Sequence, residues 1–210
     1  MSGAPRPDAV PPAPTAPPSP PPPSPSSSAS SPSPSPSPSP SASSASASST
    51  PLAGRRAVVV TCSTRAAQGV YPDRGGALLV ESLRAWGCEV PDATVVPDGP
   101  AVAVAVAAAI ASAPDLVVTT GGTGLTPTDG TPEATRPLLD REVPGLAEAI
   151  RARGVANGIP TAVLSRGLAG LAGSTLVVNL PGSTGGVRDA LAVLAEVLPH
   201  ALSQARGGDH

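Results

Sequence analysis

Three short runs constrain this chain more than anything else in it: AVVVTC at Ala57–Cys62, DLVVTT at Asp115–Thr120 and TLVVNL at Thr175–Leu180. Each is rich in β-branched residues and apolar at successive positions. Such runs read as strands buried on both faces, which belong to parallel sheets covered by helices. The segments between them carry helical spacing. Asp73 to Trp86 places Leu79, Leu83 and Trp86 on one face, and Gly87 stops the helix. CEVPDATVV holds a further strand ending at Pro97-Asp98, and Pro100 to Ala113 spaces Val102, Val106 and Ile110 four apart behind an N-terminal proline. Strand, helix, strand, helix, strand is the βαβαβ signature of an α/β fold: a three-layer, parallel-type sheet flanked by helices.

The second half is less regular. Thr131-Pro132-Glu133 predicts a helix start with Thr131 as N-cap and Pro132 at the first helical position. Val143-Pro144 breaks that helix, and Gly145 to Arg153 forms another. The last strand, Thr175 to Leu180, runs through a glycine-rich turn into a final helix striped by Val187, Leu191, Leu194, Leu198 and Leu202.

Composition sets the domain boundary. The first 50 of the 210 residues hold 17 of the 30 prolines and 18 serines, with Arg6 and Asp8 the only charges. That segment has too little apolar surface to offset the entropy of ordering, so residues 1–53 read as a disordered tail and 54–206 as one α/β domain. Its SPSPSPSPSP run favours an extended polyproline II spacer, serving either as a dispensable extension or as a docking segment. The net charge of −2 gives no electrostatic footprint for nucleic acid. Two cysteines, Cys62 and Cys88, exclude a disulfide scaffold and read as buried small apolar residues. The longest apolar stretch, Ala101 to Pro114, is mostly alanine and short for a membrane span. With no secretory h-region visible, the expected compartment is the cytoplasm. All 13 basic residues are arginine, which removes lysine-based mechanisms.

Ligands of open parallel sheets bind beyond the carboxyl ends of the strands. Four loops begin there: Ser63-Thr64-Arg65, Pro97-Asp98-Gly99, GGTGLTPTDGTPEAT from Gly121 to Thr135, and Pro181-Gly182-Ser183-Thr184-Gly185-Gly186. The two glycine-rich loops can aim backbone N–H groups at an anion, and the last leads into a helix N-terminus. That points to a phosphate-bearing ligand. Neither GxxxxGK[ST] nor G-x-G-x-x-G after the first strand is present, which disfavours a P-loop or a dinucleotide fold. Asp98 and Asp129 fall on one rim and could hold Mg²⁺ against phosphates, or be turn residues. Glu133 reads equally as a first-turn acid, and Arg166 on spacing alone is a surface residue. No histidine lies where a Ser–His–Asp triad needs one; His200 is in the last helix.

The string TTGGTGLTPTDGTPEATRPLLDREVPGLAEAIR, Thr119 to Arg151, resembles the MogA/MoaB family of molybdenum-cofactor biosynthesis proteins. So do LSRGLAGLAGSTLVVNLPGS, Leu164 to Ser183, and the spaced features Ser63-x-Arg65, Gly69-x-Tyr71-x-Asp73 and Val96-Pro97-Asp98. The resemblance covers residues 55 to 205. It implies a molybdopterin-binding (MogA-like) fold, a homotrimer or hexamer, and the pterin in the strand-end cleft. The MogA branch adenylylates molybdopterin: its terminal phosphate attacks the α-phosphate of Mg-ATP and pyrophosphate leaves. On that resemblance Gly121, Gly122, Thr123 and Gly124 cradle phosphate, and Asp98 and Asp129 are the catalytic and Mg²⁺-holding residues. Glu133 meets the pterin's donor edge, and Ser63, Ser165, Arg166, Pro181, Gly182 and Ser183 line the substrate side. The implied partners are ATP, molybdopterin and other cofactor-biosynthesis proteins, with no nucleic acid and no membrane. Two departures stand out. Many members have Ser-Asp-Arg where this chain has Ser63-Thr64-Arg65, and many have a lysine where it has Thr184-Gly185-Gly186, so backbone amides, Arg188 or Mg²⁺ must substitute. The alternative readings are a MoaB-like binding protein without turnover and an interaction module whose tail is the active part.

Overall fold

A computed structural model describes residues 50–208. The tail expected over residues 1–53 therefore lies outside the described residues up to residue 49. Its last four residues do not: Leu52 is 2% exposed, packs in the main core and donates its backbone N–H to the Trp86 carbonyl at 2.8 Å. Packing thus starts two residues before the boundary that charge and β-branching mark. A lone leucine among small residues gives no periodicity to betray it.

The elements run β1 (Ala57–Cys62), α1 (Thr64–Ala67), α2 (Arg74–Ala85), β2 (Thr94–Val96), α3 (Pro100–Ala111), β3 (Leu116–Thr120), α4 (Thr131–Thr135), β4 (Arg141–Glu142), α5 (Pro144–Ala156), β5 (Ala169–Ala172), β6 (Thr175–Leu180) and α6 (Thr184–Ala205). The sheet order is β2-β1-β3-β6-β5-β4. β2, β1, β3 and β6 are parallel, while β5 and β4 add an antiparallel edge, so the sheet is mixed. The strands expected over 57–62, 115–120 and 175–180 form within a residue of those bounds. These two antiparallel strands have no counterpart in the sequence pattern, because AGLA and Arg141-Glu142 carry no β-branched signal.

Side chains leave the sheet alternately. Val59, Leu116, Val118, Leu176 and Val178 meet α2, α5 and α6 on one face. Val60, Cys62, Val117 and Val177 meet Val102, Val106 and Ala109 of α3 on the other. The result is three layers. The α6 stripe is buried throughout. Among the described residues no helix is long and apolar enough to cross a membrane.

Register places the site. Thr61 pairs with Thr120 and Thr120 with Leu180, so β1, β3 and β6 end level. The loops that start at Ser63, Gly121 and Pro181 consequently open on one edge, where the order reverses between β1 and β3. Asp73, the N-cap of α2, reinforces this edge: it accepts from the Gly76 N–H at 2.9 Å and from the Thr61 hydroxyl at 2.6 Å. Thr131 is not an N-cap. The cap is Gly130, and Thr131 turns inward at 1% exposure because its N–H is taken by the Gly122 carbonyl at 3.0 Å.

Candidate active site

Gly121 and Gly122 come directly after β3 with φ of +95° and +62°, a left-handed pair that side chains disfavour. A Cβ on Gly121 would strike the Cys62 carbonyl oxygen, and one on Gly122 would strike the Thr131 hydroxyl. The GGTG loop is therefore pressed onto the end of β1. Gly182 packs against Gly121 from the other loop, where a Cβ would sit 3.2 Å from the Gly121 Cα. Thr120 fixes the approach by donating to the Pro181 carbonyl at 2.8 Å.

Around this glycine floor lies a cleft with two lobes. The first, about 670 Å³, is lined by Ser63, Arg65, Tyr71, Asp73, Arg74, Asp98 and Thr184 among others. The second, about 660 Å³, is lined by Thr123, Gly124, Ile150, Ile159, Ser165, Arg188 and Asp189 among others. Gly121, Gly122, Asp129 and Gly182 line both. Thus Ser63, Asp98 and the shared residues meet in one lobe. Thr123, Gly124, Ser165, Pro181 and Ser183 meet in the other.

Both carboxylates are held by one oxygen. Asp98 Oδ2 accepts from the Thr64 N–H at 2.9 Å and its hydroxyl at 2.8 Å, which locks the β2 end to the start of α1. Asp129 Oδ2 accepts from the Thr126 N–H at 2.9 Å and its hydroxyl at 2.6 Å. Their Oδ1 atoms have no hydrogen-bond partner among the described residues. No group of three or more His, Cys, Asp or Glu side chains that could hold a metal occurs among the described residues. Mg²⁺ commonly takes one or two carboxylates and completes its shell with substrate phosphates and water. Asp98 and Asp129 each leave one oxygen free for such an ion, a donor set that fits an ion shared with a bound phosphate better than a resident cage.

Glu133 and Arg166 stand apart from the other expected site residues and line neither lobe. Arg166 Nε donates to the Gly124 carbonyl at 2.7 Å, its terminal nitrogens reach the Asp129 carbonyl and the Glu133 carboxylate, and its backbone N–H binds the Thr123 carbonyl at 2.9 Å. The pair braces the loop from behind. Arg151 of α5 holds the Ser165-Arg166-Gly167 turn in place through the Ser165 and Gly167 carbonyls at 3.3 and 3.0 Å. Ser183 caps α6 by accepting from the Gly186 N–H at 3.1 Å.

Tyr71, Arg74 and Asp189 are among the further lining residues that lie outside the set that the sequence marks as the site. Tyr71 reaches the Ser63 hydroxyl at 2.9 Å, with the Arg65 guanidinium 5.2 Å from its ring centre. Arg74 enters the first lobe with no ion pair among the described residues. Asp189 enters the second, bound by Asn157 at 2.6 Å. The G-x-Y-x-D spacing is the one available signal for Tyr71, and Arg74 directly follows its aspartate. Cys62 lies under the floor, and burial, aided by the negative charge of Asp98, pushes its thiol up to about 11.

Residues 58–200 match the family described as a probable molybdopterin binding domain. The chain is 41% identical over 160 residues to the molybdenum cofactor biosynthesis bifunctional protein of Synechococcus elongatus, covering 76% of this chain and 50% of that one. A second bifunctional protein, from Chlorobaculum tepidum, is likewise covered to 50%, so the chain spans about half the length of these curated relatives. It is 36% identical over 152 residues to the molybdopterin adenylyltransferase of Pyrococcus furiosus, covering 70% of this chain and 89% of that one. The solved structure of the molybdopterin biosynthesis Mog protein from Mycobacterium ulcerans is similar at 51% identity and a TM-score of 0.69, covering 72% of this chain and 99% of that one. With a family match across most of the described residues, and a cleft built from the motifs that carry it, the chain belongs to the MogA/MoaB family of molybdopterin-binding proteins.

Proposed function

We propose that this protein is a molybdopterin adenylyltransferase of molybdenum cofactor biosynthesis, transferring AMP from Mg-ATP to the terminal phosphate of molybdopterin. The observation that carries the reading is the cleft itself: two lobes of nearly equal size share a glycine floor and the Asp129 carboxylate. Two substrates can sit one per lobe with their phosphates meeting over that floor. The name of the Pyrococcus relative supports the same reaction class.

In that reaction a terminal phosphate oxygen of molybdopterin forms a bond to the α-phosphorus of ATP. The bond from that phosphorus to the bridging oxygen breaks, and pyrophosphate leaves with the electron pair. The nucleophile is already ionised, so no side chain has to remove a proton. The protein contributes position and charge. The Gly121 and Gly122 backbone orients the phosphates, Asp98 and Asp129 would hold Mg²⁺, and Arg65, Arg74 and Arg188 stand in the lobes as cations for substrate anions. Mg²⁺, when bound, neutralises phosphate charge. Arg188 and the amides at the start of α6 take the place of the lysine many relatives carry there. The family resemblance also supports a cytoplasmic homotrimer, which light scattering at micromolar concentration would test by mass.

The deciding experiment is a pyrophosphate-release assay with molybdopterin, ATP and Mg²⁺. Release that depends on all three establishes the transferase. Tight molybdopterin binding without release establishes a carrier instead.

A further inference from the structure

The second lobe has a composition of its own. Ile150, Ile159, Ala162 and Leu164 give it apolar walls. Between them stands Asp189, in the second turn of α6, with no ion pair to any described residue. Asn157, the C-cap of α5, donates to Asp189 Oδ1 at 2.6 Å and so fixes the plane of the carboxylate. Asp189 Oδ2 has no hydrogen-bond partner among the described residues. Gly154 keeps the adjoining floor open: a Cβ there would come within 2.7 Å of the Ala162 methyl and 3.7 Å of Asp189 Oδ2. A half-buried carboxylate oriented by an amide and bordered by apolar walls is a poor element of stability, because desolvating a charge costs free energy that one hydrogen bond recovers only in part. It is a good receptor for a flat ring that carries adjacent N–H donors.

We propose that Asp189, oriented by Asn157, is the specificity carboxylate of the second lobe. It accepts the paired N–H donors of a 2-amino-4-oxopyrimidine edge, the ring N–H and the exocyclic amine of a pterin. This assignment rests on the reading that the cleft binds molybdopterin, and it gives the donor edge to Asp189 in place of Glu133, which is spent on Arg166. Two parallel N–H···O bonds to one carboxylate reproduce the fork geometry of an arginine–carboxylate pair, and Oδ1 keeps a lone pair for the second after accepting from Asn157. The apolar walls take the ring faces. Arg188, the neighbouring residue in the same lobe, is left for the phosphate end.

The test uses the full chain and two fluorescent pteridines, 6-hydroxymethylpterin and lumazine, titrated at pH 7; lumazine has an oxo group where pterin has the 2-amine. The variant Asp189→Asn keeps an acceptor for Asn157 while removing the charge. Its melting temperature should match the unaltered chain, since Val187 and Leu191, not Asp189, face the core. The unaltered chain should prefer the pterin. Asp189→Asn should lower pterin affinity about tenfold or more, as expected for hydrogen bonds to a charged group. Lumazine and Mg-ATP affinities should stay within about threefold, so that the preference collapses. Unchanged pterin affinity in Asp189→Asn overturns the assignment, as does equal loss for both pteridines. A variant defect confined to Mg-ATP places the nucleotide base in this lobe and also overturns it. Guanosine carries the same donor edge, and tighter binding of guanosine than of pterin would reassign the lobe to a purine. If the unaltered chain binds neither pteridine, the molybdopterin reading itself falls.

Discussion

At the scale of single residues, what a side chain does here is set by partners far away in sequence. Asp98 and Asp129 are legible as rim residues, because each sits beside a glycine in a loop that leaves a strand end, and the register puts those strand ends on one rim. The partners of Arg166, Glu133 and Asp189 are not. Arg166 reaches Glu133 and Gly124 across 33 and 42 residues, and Asn157 reaches Asp189 across 32, distances that no local pattern encodes. The sharpest residue-scale prediction concerns Asp129. Asp129→Asn can still accept from Thr126 and keeps the turn, but it removes the charge that, on the proposed reaction, faces the reacting phosphates. Loss of such an electrostatic contact should slow turnover by on the order of 10² to 10³, about 2.7–4 kcal/mol. Molybdopterin binding should weaken only modestly, since the glycine amides remain. Steady-state turnover and equilibrium pterin binding on the same variant check this, and equal loss of both would assign Asp129 to the turn alone.

Elements are legible where burial on both faces forces a continuous apolar run. β1, β3 and β6 announce themselves through valine, and α6 through its stripe of five. β4 and β5 escape because a strand needs only its backbone to pair, and Ala169-Gly170-Leu171-Ala172 pairs with β6 on one side and β4 on the other without a β-branched side chain. Leu52 escapes for a related reason, as one residue of a turn filling a gap beside Trp86. Leu52→Ala should cost about 2–5 kcal/mol of stability, the range for emptying a buried leucine site, and chemical denaturation measures it. The GGTG loop makes the complementary case, an element held by side chains. Arg166→Gln removes the brace on Gly124 and Asp129 while leaving the cores untouched. Melting temperature should fall little, because both partners are partly exposed. Turnover should fall far more, since ångström-scale misplacement of reacting groups can cost about 10²-fold. Faster hydrogen exchange at residues 124–130 would mark the released loop; an unchanged exchange rate with normal turnover would remove the brace from the mechanism.

For the whole molecule, the aliphatic core and the absence of lysine combine into a simple pH response. Cys62 and Cys88 are both buried, and burial, aided by nearby Asp98 and Asp115 respectively, pushes each thiol up to about 11. The unfolded thiols ionise near pH 9, so the unfolded chain binds fewer protons than the folded one above that pH. Stability from this source is therefore complete below pH 9 and is lost as pH rises toward 11, with no lysine titrating in the same window. Urea midpoints across roughly pH 8 to 11 should fall accordingly, and replacing both cysteines with alanine should flatten the slope. At about pH 8 neither thiol should react with an alkylating reagent until the chain unfolds. The shared glycine floor also bears on the fate of the product. A product that covalently joins the occupants of two adjoining lobes is a bivalent ligand. When one half lets go, the other holds it at high effective concentration, and the first half rebinds before it can diffuse away. On the proposed transfer, the protein would retain its product far more tightly than either reactant, and its turnover would be paced by whichever acceptor comes to collect the product.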